Sequence, residues 1–215
     1  MSLPTKYGGN DYAAQSWSDI PETDGRRIQI SWMSGGQYPG MPFNQQYTVP
    51  RELTLRTTPD GVRLFMYPIK EIESLRATPV GKAIKAHKVL ENNGVVFMLG
   101  NDKEAFDAEL VIDFGTADKL VVDVLGQKIE YDVKAQRILL DGIAAPLKLL
   151  DGKLHLRVLV DRTSIELFAQ HGEVQIAKCF LPDKDADKRL EIIARGGDAT
   201  FDSINVWEMR STLPR

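Results

Sequence analysis

The chain has 215 residues, enough for one large domain or one and a half small ones. Its 43% apolar and 27% charged composition is ordinary for a globular protein. A net charge of -3 gives no electropositive surface for nucleic acid or an anionic membrane, and no apolar run reaches the roughly 18 residues of a membrane span. Cys179 is the single cysteine, so no internal disulfide can form and the redox compartment stays open. Between Lys178 and Phe180 on an apolar strand, it reads as a small core residue. Met1-Ser2-Leu3-Pro4 lacks the basic start and apolar run of a signal peptide and reads as a start added by cloning.

Asp24-Gly25 is a turn dipeptide before a short strand in which Ile28, Ile30 and Trp32 share one face. Pro39-Gly40 and Pro42 break the chain, and Pro50 precedes a second strand. There Leu53 and Leu55 alternate with Glu52, Thr54 and Arg56. In Pro59-Asp60-Gly61 the Pro presets φ, the Asp favours the turn and the Gly accepts positive φ. Val62 to Tyr67 then returns as an antiparallel partner, ended by Pro68. Residues 69–79 are a charged connector, with Ile72 and Leu75 spaced for one or two helical turns that Pro79 ends.

From about residue 80 to 211 the period is close to two. Leu110, Ile112 and Phe114 alternate with Val111 and Asp113. Leu120, Val122 and Val124 follow, then Ile129, Tyr131 and Val133. The clearest alternation sets Leu154, Leu156, Val158 and Val160 against Lys153, His155, Arg157 and Asp161. It predicts Leu156, Val158 and Val160 between two sheets, with Leu154 nearer the strand's edge. Gly115, Gly126, Asp141-Gly142, Asp151-Gly152, His171-Gly172 and Gly196-Gly197 punctuate the strands. Many short strands with regular turns mean an antiparallel sandwich or barrel. Val80 to Leu90 is ambiguous, since Val80, Ile84 and His87 also fit a helical face.

Four features in order between Tyr7 and Leu55 carry a resemblance. They are the Gly8-Gly9-Asn10-Asp11-Tyr12-Ala13 run ending in Trp17-Ser18-Asp19-Ile20-Pro21, Asp24-Gly25-Arg26-Arg27-Ile28 before Trp32-Met33, Pro42-Phe43, and Thr48-Val49-Pro50-Arg51-Glu52-Leu53-Thr54-Leu55. They resemble the last propeller blade of glycoside hydrolase family 32, the levanases, inulinases and invertases, and most of all the bacterial levanases. Val160-Asp161-Arg162-Thr163-Ser164-Ile165-Glu166-Leu167-Phe168 resembles a motif of that family's C-terminal sandwich, and Asp198 to Met209 its closing strand. The resemblance implies an all-β fold: a partial β-propeller blade followed by a two-sheet antiparallel β-sandwich. Residues 1–68 would be the blade remnant, 69–79 the linker and 80–215 the sandwich domain.

The activity implied is hydrolysis of β-fructofuranosyl bonds in levan, inulin or sucrose with retention. That chemistry needs a carboxylate nucleophile and a carboxyl acid/base about 5–5.5 Å apart. The family carries its three acidic groups in N-D-P, R-D-P and E-C motifs, and none of these occurs in this sequence. The expectation is therefore a chain that supports a fructosidase and lines part of its pocket, without catalytic residues of its own.

The resemblance places four substrate-binding candidates at the rim: Asn10, Asp11, Tyr12 and Trp32. Asn10 stands where the family has an Asp, and the carboxylate falls one residue later, at Asp11. In a strand that offset points it to the opposite face. Tyr12 and Trp32 match their counterparts, and aromatic faces suit the apolar C–H face of a sugar. Against this, Tyr12 and Trp32 read equally well as blade-core aromatics.

Arg51 and Glu52 read as a structural ion pair or a blade-closing contact. Asp161 and Arg162 read as a turn pair, His155 as a solvated polar-face residue, and Asp183 to Arg189 as a solvated loop. His171 sits in a turn, and His87 has no partners at metal spacing. No metal or cofactor is implied, and the expected partner is a fructan or sucrose-type carbohydrate. The competing class is a non-catalytic fructan-binding sandwich, which a strand face of exposed aromatics would favour. For the first 68 residues three fates are open: packing onto the sandwich, self-association through free strand edges, or disorder. Self-association is the favoured one.

Overall fold

A computed structural model describes residues 4–99, 105–183 and 188–212. Met1, Ser2 and Leu3, and residues 184–187 of the Asp183–Arg189 run, lie outside them. The first part forms β1 (Lys6–Tyr7), β2 (Tyr12–Ser16), β3 (Arg27–Met33), β4 (Gln46–Tyr47), β5 (Arg51–Thr58) and β6 (Gly61–Pro68). Strands β2, β3, β5 and β6 pair in that order, with β4 beside β3, as a small antiparallel sheet. The Pro59-Asp60 turn forms as its chemistry predicts. Thr58 pairs with Gly61, whose φ is 103°, and Thr58 Oγ1 accepts the Asp60 N–H at 3.2 Å.

A 3-10 turn over Lys70–Leu75 follows. It ends earlier than Pro79, because Arg76–Pro79 is extended as β7. The remaining strands are β8 (Ile84–Val89), β9 (Gly94–Met98), β10 (Phe106–Asp113), β11 (Lys119–Val124), β12 (Gln127–Asp132), β13 (Arg137–Leu140), β14 (Ile143–Pro146), β15 (Lys153–Asp161), β16 (Ser164–Ala169), β17 (Val174–Cys179), β18 (Arg189–Arg195) and β19 (Ala199–Met209). Within the ambiguous Val80–Leu90 stretch, Ile84–Val89 is strand and no residue is helical. β19 is longer than its neighbour β10, and its free edge takes β8 along Ala199–Ile204 and β7 along Trp207–Met209.

Two sheets make the sandwich. The larger runs β1-β17-β16-β15-β10-β19-β7, with β8 also on β19. The smaller runs β14-β13-β12-β11-β18-β9. Among the described strands every pairing is antiparallel except that of β1 with β17. The alternating residues fill the space between the sheets: Leu110, Ile112, Leu120, Val122, Ile129 and Tyr131 are all buried there. Leu156, Val158 and Val160 are buried as expected. Leu154 is not nearer the edge, being 0% exposed on a strand between β10 and β16. Each such aliphatic side chain contributes about 1.5–3 kcal/mol by leaving water. The Asp161-Arg162 turn forms between β15 and β16, and Asp161 Oδ1 accepts the Arg162 N–H at 2.8 Å.

The small sheet packs on the outer face of the larger sandwich sheet, making a third layer. Phe65 and Met66 are buried there, and Gly172 sits against the Met66 backbone. Of the three fates, packing onto the sandwich is the one the structure displays. The middle layer is thus covered on both sides, and all six residues of β16 are buried.

This third layer overturns several readings made from period two. His155 is half-buried, and Arg157, expected on a polar face, is fully buried against Asp107 with Nη2–Oδ2 at 2.8 Å. Cys179 is half-buried at the contact with the small sheet instead of in the core. In β3 the inward residues are Ser31 and Met33. Ile28 and Ile30 are half-buried, and Trp32 points out. Leu55 is 74% exposed. The inward face of the small sheet mixes Ser31 and Arg51 with Met33, Phe65 and Met66, so burial there does not follow the apolar alternation.

Candidate functional site

The small sheet presents two faces with different chemistry. On the outward face, register sets three aromatics in one row across adjacent strands: Tyr12 pairs with Trp32, and Trp32 with Tyr47. The Tyr12 and Trp32 ring centroids are 6.2 Å apart, at 58°. An irregularity between Tyr12 and Gln15, where Ala13 takes φ 48°, turns β2 and opens the sheet beside them. The result is an open hollow of about 550 Å³ lined by Ala13, Gln15, Ile30, Trp32 and Tyr47. Flat rings with polar edges around a hollow can seat the apolar face of a sugar.

Asn10 and Asp11 do not join this row. Asn10 Nδ2 donates to the Ser34 carbonyl at 2.5 Å, and its Oδ1 accepts the Cys179 N–H at 3.1 Å, so it ties the small sheet to β17. The Asp11 side chain is buried on the inward face. It is bonded to the Arg51 guanidinium and, at 2.9 Å, to Lys6 Nζ. Burial alone would push its carboxyl up, but the hydrogen bond and charge of Arg51 hold it below the usual range. Arg51 is 0% exposed and also donates to Ser31 Oγ at 2.6 Å. Its partner is Asp11, whereas Glu52 next to it in sequence pairs across the sheet with Tyr67 and Ile28. Asn10 and Asp11 precede β2, so strand alternation does not govern them, and both side chains turn toward the sandwich.

Facing this knot from β16 is Glu166, fully buried. Its Oε1 accepts the Val49 N–H at 2.8 Å, and its Oε2 has no partner. Loss of water pushes the Glu166 carboxyl up to about 8, against the Val49 N–H and Arg51, which favour the charged form. Sequence reading quoted Glu166 within a motif without assigning it a role. Tyr47 was likewise missed, although its strand partner Trp32 was singled out. No local spacing marks Tyr47, which joins the row only through the pairing of β4 with β3. Among the described residues no group of three or more His, Cys, Asp or Glu side chains is arranged to hold a metal.

The architecture is a propeller-type sheet docked on a two-sheet sandwich, and comparisons with known proteins give the same answer. The model of the glycosyl hydrolases family 32 C-terminal domain matches residues 71–208, and that of the family 32 N-terminal domain matches residues 3–68. The chain belongs to glycosyl hydrolases family 32. It is 32% identical to a levanase of Bacillus subtilis over 97% of its own length and 34% of the levanase. It is 30% identical to a raffinose invertase of Escherichia coli, over 94% of this chain and 43% of that one. An exo-inulinase from Aspergillus awamori shares the fold with a TM-score of 0.83 at 21% identity, over 97% of this chain and 45% of that one. The chain therefore spans between a quarter and a half of the relatives it matches.

Proposed function

We propose that this chain acts as the C-terminal part of a retaining β-fructofuranosidase of the levanase type, whose substrates are levan, inulin or sucrose. In this reading residues 1–68 are the remnant of the last propeller blade, 69–79 the linker and 80–215 the sandwich domain. The blade remnant supplies pocket wall, and the sandwich holds it rigid. The observation that carries the reading is the row Tyr12–Trp32–Tyr47, exposed on one face of a sheet whose other face is fixed to the sandwich by Asn10, Asp11, Arg51 and Glu166. Tyr12 and Trp32 are the substrate-contacting residues, and Asn10 and Asp11 hold the strand that presents Tyr12. Self-association through the free strand edges of the small sheet belongs to the same reading, because β2 and β6 end that sheet.

Fructan oligosaccharides titrated into the protein should give a binding isotherm that Trp32→Ala weakens by about tenfold, the loss of one stacking contact of about 1.4 kcal/mol. An unchanged isotherm would overturn the role of the row. Fructose release from sucrose, inulin and levan by the chain alone should stay at the blank. Release that an acidic-residue variant of this chain abolishes would overturn the supporting role. A sandwich that binds fructan through a flat aromatic face finds no support. The exposed large aromatics among the described residues, such as Tyr12, Trp17, Trp32 and Phe43, all precede residue 69.

A further inference from the structure

A second hollow lies on the outer face of the larger sandwich sheet, beside the docked small sheet. Its floor is set by register. In one row Asn205, Glu109, Arg157 and Phe168 are successive cross-strand neighbours on β19, β10, β15 and β16. In the next, Ser203, Val111 and His155 are neighbours on β19, β10 and β15. A bulge between Val111 and Ile112 leaves Asp202 unpaired on β19, so Phe201 and Ile204 both face the core and Ser203 turns outward into the hollow. The wall comes from Tyr67 on β6 and from His171, whose φ of 57° lifts it out of line before β17. The His155 and His171 rings are 4.6 Å apart, and Tyr67 lies 6.4 Å from His171 and 6.0 Å from Phe168. The space is about 110 Å³, several times the ~10–15 Å³ that one water needs.

Two observations point to a ligand. First, Ser203 Oγ, the Asn205 amide and both imidazoles converge on this hollow, and among the described residues none makes a side-chain hydrogen bond. These groups are open to solvent and keep their hydrogen-bonding capacity free, so a polar guest that enters the hollow can use it. Second, the charges at the hollow cancel. Arg157 is neutralised by Asp107, and Arg76 by Asp107 and Glu109. Burial holds both imidazoles below their ordinary pKa, favouring the uncharged rings, with the other ring adding to the effect at His155 and Arg56 at His171. A neutral, hydroxyl-rich molecule suits such a site better than phosphate or a carboxylate does.

We infer that this hollow is a second carbohydrate site, which takes one sugar unit of a neutral saccharide with its ring against Tyr67 and His171 and its hydroxyls on Ser203, Asn205 and His155. It rests on the fructan reading for the identity of the sugar alone. It is distinct from the Tyr12–Trp32–Tyr47 row, which lies on the outward face of the small sheet. Its place on the sandwich would let a polymer be held away from the aromatic row.

The three histidines provide the test, since His87 on β8 lies outside the hollow and serves as internal control. Ring resonances of the intact chain would be followed while fructo-oligosaccharides, gluco-oligosaccharides or inorganic phosphate are added. The expected result is that fructo-oligosaccharides shift the His155 and His171 signals and leave His87 still. Asn205→Ala and Ser203→Val should weaken this by about tenfold or more, with unchanged melting temperature, and Trp32→Ala should leave it intact. If gluco-oligosaccharides shift the same signals and fructans do not, the site stands and the fructan reading falls. If fructans bind but only Trp32→Ala weakens them, the fructan reading stands and this site falls. A response to phosphate alone, or to nothing, overturns the site.

Discussion

The two faces of the middle sheet are held by different physics. Its inner face meets the six-stranded sheet through Leu154, Leu156, Val158, Leu167 and Ile176, contacts that need volume and water exclusion but no direction. Its outer face meets the small sheet through Glu166 to the Val49 N–H, the Cys179 N–H to Asn10, and a salt bridge from Arg63 to Glu173 at 2.8 Å. Such contacts add little net stability, yet they leave buried groups unpaired if the small sheet shifts by one residue. The inner face therefore supplies most of the stability, and the outer face fixes where the aromatic row sits. A propeller-type sheet must be placed accurately to shape a pocket, which suits the directional solution.

The largest test attacks the inner face. Val158→Asp places an unpaired carboxylate between two apolar sheets and should cost several kcal/mol, removing cooperative thermal unfolding. A melting temperature equal to that of the parent would refute the register. Next comes the contact between the layers. A Cβ at Gly172, which has φ 93°, would lie 2.1 Å from the Met66 carbonyl oxygen. Gly172→Ala should cost about 1–3 kcal/mol of backbone strain and displace β6. Amide exchange should rise in β5 and β6 and stay slow in β10 and β15. Equal acceleration in both would erase the distinction between the faces.

A subtler test uses protons. Glu166 keeps its proton up to about pH 8 in the folded chain, whereas the unfolded chain loses it at the ordinary carboxyl pKa. Between those values the folded state binds more protons, so stability falls as pH rises through this window and levels off above it. Urea midpoints between pH 5 and 9 should decline in the parent more steeply than in Glu166→Gln, and parallel slopes would remove Glu166 as the cause. The smallest effect is expected at Leu55. With that side chain in water, Leu55→Lys should change stability by no more than about 0.5 kcal/mol. A larger loss would mean that something covers the outward face.

The sandwich was legible because its alternation is clean: Leu110, Ile112, Leu120 and Val122 each face the core that period two assigns them. The small sheet was legible as strands but not in its facing. Ile28, Ile30 and Trp32 share a face, as their spacing says, and yet the docked face is that of Ser31 and Met33. Alternation tells which residues go together and is silent on which side meets another layer. For the same reason Arg157 reads as an ordinary polar-face residue, since burial on a second side leaves no mark in a period-two pattern. Within the aromatic row, Tyr12 and Trp32 were found through motif resemblance. Tyr47 needed the pairing of β4 with β3, which no local spacing encodes.

Strand β1 carries one more consequence. Lys6 and Tyr7 lie beside Gln175 and Ile176, far apart in sequence, and the small sheet is spun out between that strand and β7, both anchored in one sandwich sheet. Bringing β1 and β17 together closes a very long loop, whose entropic cost grows only slowly with length but must be met before the contact forms. During synthesis from the N-terminus, β1 has no partner until β17 has been made. The small sheet therefore docks late, behaving as a flap sewn down at both hems, and a protease cut between Tyr38 and Asn44 would leave its two pieces still stitched to the sandwich.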